Sequence, residues 1–140
     1  MAKFSPYLLF DGTCAEAMTF YQRCVGGDLV IVRVGDSPVK DQHPASLHDR
    51  VVNARLTRGA AELSASDWLH PTRRPRPGNT VAVYLSGCTY NELRTVFAGL
   101  SEGADPDLLD ELRPMPFGTY GALTDKFGVR WMFQGDAVPQ

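Results

Sequence analysis

Two stretches of this chain carry the same short order of signals, and that repetition constrains the fold more than any other feature. FDGTCAEAM (residues 10–18) and LSGCTYNEL (residues 85–93) superpose with Gly12 on Gly87, and Glu16 on Glu92 after one inserted residue. Each has an apolar run before it, residues 4–10 in one case and 80–85 in the other, which reads as a strand closing on a glycine turn. Each then offers a capping box, Thr13-x-x-Glu16 and Thr89-x-x-Glu92, whose hydroxyl and carboxylate can satisfy orphan amides at a helix start. Helical spacing follows: Ala17, Met18, Phe20, Tyr21, Cys24 and Val25 in the first case, Leu93, Val96, Phe97 and Leu100 in the second. Gly26-Gly27 and Gly103 supply the stops, since glycine takes the left-handed conformation that ends helices.

Three further strands follow each helix. After the first come residues 29–34, 51–57 and 61–66, the last two a hairpin around Arg58-Gly59-Ala60. After the second come residues 108–113, 120–124 and 129–134, the last two joined at Asp125-Lys126-Phe127-Gly128. Between the halves, PTRRPRPG (residues 71–78) suits neither helix nor strand, because proline fixes φ and removes a donor. The expected architecture is therefore α+β, one domain of 1–140 built from two βαβββ modules, about 4–70 and 79–135, joined by the 71–78 linker.

Composition narrows the function classes. The chain has 140 residues with a formal net charge of -2, which argues against a general nucleic-acid binder. No stretch reaches the roughly 18 apolar residues of a membrane span, and residues 1–6 lack the pattern of a leader peptide. Cys14, Cys24 and Cys88 are odd in number and lack C-x-x-C spacing, so they read as reduced thiols of a cytoplasmic protein. Arg73, Arg74 and Arg76 in the proline stretch read as a solvated connector rather than a phosphate site.

Three segments resemble one family. PYLLFDGTCAEAMTFYQRCVGG, VVNARLTRGAAELSASD and GALTDKFGVRWMF, in that order, look like the vicinal oxygen chelate superfamily, which includes glyoxalase I, bleomycin-resistance proteins and extradiol dioxygenases. Within it they are similar to the PhnB-like branch, whose members are often described as resembling 3-demethylubiquinone-9 3-methyltransferase. The resemblance implies two βαβββ modules whose sheets curl around a cavity, usually as a homodimer. In the superfamily's enzymes that cavity holds a divalent metal on His, Gln or Glu from the first and last strands of each module. Here those positions fall near Pro6, Ser64, Thr80 and Met132, none of which suits a catalytic divalent ion. Glu62 lies two residues from Ser64, but a lone carboxylate is no metal site.

The expectation is therefore a protein without cofactor or metal, with a divalent-metal lyase or dioxygenase as the alternative. His43, His48, Asp41 and Asp49 share a polar loop that reads as solvated or as a dimer contact, and His70 as a cap on the linker. A methyltransferase is not expected, because Gly26-Gly27 ends a helix where a cofactor turn would open one.

Strand alternation then selects cavity residues. Trp131 and Phe133 are expected under the helices, with Arg130, Met132 and Gln134 opposite. Collected in this way, the candidate ligand contacts are Leu8, Phe10, Asn53, Arg55, Ser64, Tyr84 and Met132, joined by Phe117 and Tyr120 near the mouth. An apolar pocket with one guanidinium suits a small ligand bearing an anionic or carbonyl group. The competing expectation is that Arg55 and Glu62 simply pair across the hairpin. The partners expected are a second copy of the chain and an unidentified small molecule, with neither nucleic acid nor membrane.

Overall fold

The computed structural model describes residues 2–140, which divide into two compact units, one ending at Arg76 and the other running from Pro77 to Gln140. The first contains strand β1 (Tyr7–Phe10), helix α1 (Cys14–Val25) and strands β2 (Asp28–Arg33), β3 (Val51–Arg58) and β4 (Ala61–Asp67). The second contains β5 (Val83–Cys88), helix α2 (Tyr90–Leu100), β6 (Asp110–Met115), β7 (Gly118–Thr124) and β8 (Arg130–Gly135). The sheets have matching orders, β1-β4-β3-β2 and β5-β8-β7-β6. In each, the strand before the helix runs parallel to the last strand and the other neighbours are antiparallel. The architecture is the expected α+β pair of βαβββ modules.

Each helix covers one face of its own sheet. In the first unit Cys14, Ala17, Met18, Phe20 and Tyr21 are buried, as are Ala54, Leu56, Leu63 and Ala65 of the sheet. In the second, Leu93, Val96, Phe97 and Leu100 are buried together with Trp131 and Phe133, and the Phe97 and Phe133 rings meet edge to face at 5.3 Å. Gly121 makes this approach possible. A Cβ there would lie 2.7 Å from Leu112 Cδ2 and 3.1 Å from the Phe97 ring, so any side chain would press on both and disturb this packing.

Several strand limits differ from expectation, each for a local reason. β1 starts at Tyr7, not residue 4, because Pro6 has no N–H to give the ladder; its carbonyl still accepts from Ser64 N at 3.3 Å. β5 starts at Val83, not residue 80. Val83 pairs with Trp131, and β8 begins only at Arg130, so the preceding residues have almost no strand to join. The expected turn at Ser86-Gly87 is instead an irregularity inside β5, with Gly87 at φ 80°. Pro106 opens a short 3-10 turn (Pro106–Leu108), which delays β6 to Asp110. Pro114 is tolerated there because β6 is an edge strand.

The two capping boxes also part company. Thr89 caps α2 as expected: its Oγ1 accepts from Glu92 N at 3.2 Å and donates to Glu92 Oε1 at 3.0 Å. Thr13 makes no side-chain cap bond. The α1 terminus is capped from a distance, by Asp67 at the end of β4. Its Oδ1 accepts from Gly12 N at 2.9 Å and Cys14 N at 3.0 Å, and its Oδ2 accepts from Val51 N at 2.8 Å. A carboxylate at a helix N-terminus is favoured by the dipole as well as by the hydrogen bonds.

Candidate functional site

The face of each sheet opposite its helix carries the polar side chains. In the first unit, Arg55 pairs with Ser64 and Thr57 with Glu62, which places Asn53, Arg55, Glu62 and Ser64 on this face. β1 joins in register with Tyr7 beside Ser64 and Leu8 beside Ala65. Leu8 and Phe10 therefore belong to the helix-covered face, with Phe10 only 5% exposed, and are not beside Arg55 as expected. Tyr7 and Leu9 take their place on the polar face. An apolar run such as YLLF fits either face, so only the parallel pairing of β1 on β4 sets its parity.

On that face Glu62 is already occupied. Arg55 Nη2 lies 3.0 Å from Glu62 Oε1, and Lys3 Nζ donates to Glu62 Oε2. The Lys3 hydrogen bond, reinforced by the Arg55 charge, holds the Glu62 carboxyl below its usual range despite some desolvation. The cross-hairpin ion pair is thus formed, and much of the Arg55 charge is balanced within the protein.

In the second unit, Tyr84 lies in register with Met132 and Tyr120 with Gln134, so all four share the face opposite α2. The Tyr84 hydroxyl donates to Gln134 Oε1 at 2.6 Å. Beside this pair lies an open groove of about 520 Å³, lined by residues that include Tyr84, Ser86, Phe117, Gly118, Gln134 and Asp136. Phe117 is 54% exposed and Tyr84 is 56% exposed. Gly118 (φ 129°) forms part of the wall; a Cβ there would sit 2.3 Å from Gly135 O. Met132 and Tyr120 share the sheet face without lining the groove. Tyr120 instead stacks under the Arg113 guanidinium, 5.6 Å from its ring centre.

Strand alternation pointed to the sheet face of Gln134 but missed its role in the groove. Asp136 lies beyond the last strand, where no periodicity signals a position. Asp67 was missed as well, because its three partners are distant in sequence and only the fold assembles them.

The strands place the positions that the family resemblance implies for a metal. Ser64 is in register with Tyr7 and Met132 with Tyr84, while Pro6 and Thr80 lie before the first residues of β1 and β5. Within either unit the pair, a phenol beside a hydroxyl in the first and a phenol beside a thioether in the second, offers none of the imidazoles and carboxylates that suit a catalytic divalent ion. Among the described residues, no three side chains of His, Cys, Asp or Glu come together as a metal site. In the loop, His48 Nε2 lies 3.0 Å from Lys40 O and 3.1 Å from His43 O, so that nitrogen ties the loop together. His70 Nδ1 accepts from Thr72 N and Arg73 N at 3.1 and 3.0 Å and caps the start of the proline stretch. The three cysteines are free, and no helix among the described residues is long and apolar enough to cross a membrane.

This arrangement of paired four-stranded βαβββ units is that of the glyoxalase and bleomycin-resistance proteins. No protein-family model matches the chain. Its structure is similar to that of protein PA1353 from Pseudomonas aeruginosa, with a TM-score of 0.84 and 32% identity over 99% of this chain and 100% of that one. It is also similar to a putative 3-demethylubiquinone-9 3-methyltransferase, PhnB protein, from Bacillus cereus, with a TM-score of 0.70, 26% identity and coverage of 96% and 99%. A glyoxylase/bleomycin resistance protein/dioxygenase domain from Frankia sp. EAN1pec shares the fold, with a TM-score of 0.63, 14% identity and coverage of 100% and 96%. The chain belongs to the vicinal oxygen chelate superfamily and, within it, to the PhnB-like branch.

Proposed function

We propose that this protein binds a small molecule without the divalent metal used by the enzymes of its superfamily, and that it works as a cytoplasmic homodimer in which 1–140 forms one domain of two modules. The observation that carries the reading is the donor set. Tyr7, Ser64, Tyr84 and Met132 stand at the in-register positions, and the neighbouring Glu62 is bound by Lys3 and Arg55. The groove in the second unit supports binding, since about 520 Å³ falls within the usual range of ligand sites. Tyr84 and Phe117 are its main contacts in this reading, with Tyr120 and Met132 extending the same sheet face. Asn53, Arg55 and Ser64 form a second polar surface on the other sheet. The methyltransferase named for the Bacillus cereus relative is not part of the proposal: Gly26 N donates to Gln22 O at 2.8 Å and closes α1, so no glycine turn opens that helix for a cofactor.

A thermal-shift screen of small molecules, run in parallel with and without EDTA, tests this reading. A ligand at about 100 times its Kd should add roughly 2.7 kcal/mol of stability, with the same rise in Tm in both arms. Shifts that vanish in EDTA would contradict it. Sedimentation equilibrium should return twice the 15.4 kDa of one chain.

A further inference from the structure

We propose that the groove of the second unit selects an organic cation carrying an aromatic or other flat apolar group. The inference rests on the small-ligand reading above and names the class of ligand. Among the residues lining the groove, Asp136 is the one acidic residue and none is basic. Its backbone is fixed at both ends: Asp136 N donates to Cys88 O at 3.0 Å, and Asp136 O accepts from Thr119 Oγ1 at 2.7 Å. The carboxylate itself is exposed and makes no ion pair among the described residues.

The rest of the wall suits the same guest. Phe117 and Tyr84 each leave more than half of their surface open, at 54% and 56%, and an aromatic face attracts a cation through its quadrupole. The Tyr84 hydroxyl is committed to Gln134 Oε1 at 2.6 Å, which sets the ring in place. Arg113, the cation on neighbouring β6, lies over Tyr120 and is not part of the wall. A groove lined by one acidic residue and two aromatic residues, with no basic residue, disfavours an anion. This differs from the anionic ligand that Arg55 suggested in the sequence, because the Arg55 charge is met by Glu62.

The test uses three probes of similar size and different charge: benzyltrimethylammonium, benzyl alcohol and phenylacetate. Each is titrated into the full-length protein and followed by the backbone amide signals of Phe117, Gly118 and residues 134–137. Benzyltrimethylammonium should shift these signals and bind about fivefold or more tightly than benzyl alcohol, with phenylacetate weakest. Asp136→Asn should erase the advantage of the cation without changing Tm, and Phe117→Ala should weaken the cation and the alcohol alike. Equal or tighter binding of phenylacetate, or an unchanged ratio in Asp136→Asn, would overturn the cation proposal and leave small-ligand binding standing. Absence of any shift with all three probes up to about 50 mM would overturn both.

Discussion

Asp67 is 4% exposed and accepts three backbone N–H groups, from Gly12, Cys14 and Val51, so one side chain joins the α1 terminus to the start of β3. Removing it leaves the buried Cys14 and Val51 amides without their acceptor, and Asp67→Ala should cost on the order of 3 kcal/mol in urea unfolding. Asp67→Asn, which keeps acceptor oxygen but loses charge, should cost less. The same carboxylate acts on Cys14, which is fully buried. Burial first, and then the Asp67 charge, push the Cys14 thiol up to about 12, against a small opposing effect of Arg33. The thiol ionises more readily in the unfolded chain, near 9.0, so its contribution to stability is complete below that pH. That contribution is lost as pH rises from 9.0 toward 12. Stability should fall in this window with a slope of up to about 1.4 kcal/mol per pH unit from this group. In Cys14→Ala that part of the slope should be missing, whatever constant offset the substitution introduces.

At the scale of elements, the two helices offer an internal control. Thr89→Ala should lower stability by about 1 kcal/mol, because Thr89 Oγ1 caps α2. Thr13→Ala should change it by only a few tenths, because Asp67 does the capping at α1. Equal losses in the two variants would mean that the two caps work alike. The contrast also shows what was legible in the sequence. Both helices, the Gly26 stop of α1 and the chain order of the eight strands follow from periodicity and turn residues, which act over neighbouring positions. Helix α2 ends instead at its cap residue Ser101, two residues before Gly103. The Thr13 box did not form, and a distant carboxylate holds the neighbouring amides of Gly12 and Cys14 instead. The start of β5 failed because a strand ends where its partner ends, and β8 begins only at Arg130. Leu8 and Phe10 were placed on the wrong face for a related reason: parity within YLLF is set by pairing to β4. Trp131 and Phe133 were placed correctly, since the alternation of β8 between bulky apolar and polar residues leaves one choice. The groove was legible only in its aromatic residues; Asp136 enters through its hydrogen bonds to Cys88 and Thr119.

At the scale of the whole molecule, both units repeat one topology, and in both the parallel strand pair sets two side chains in register opposite the helix. The first unit presents Tyr7 beside Ser64 and the second Tyr84 beside Met132, and neither pair offers donors that a divalent ion would favour. We propose that the protein acts without metal. Metal content, measured by plasma mass spectrometry on untagged protein purified without chelator, tests it most directly. Incubation with zinc, nickel, manganese and iron followed by desalting should leave less than about a tenth of an equivalent of each. A stoichiometric metal that survives desalting would contradict the account.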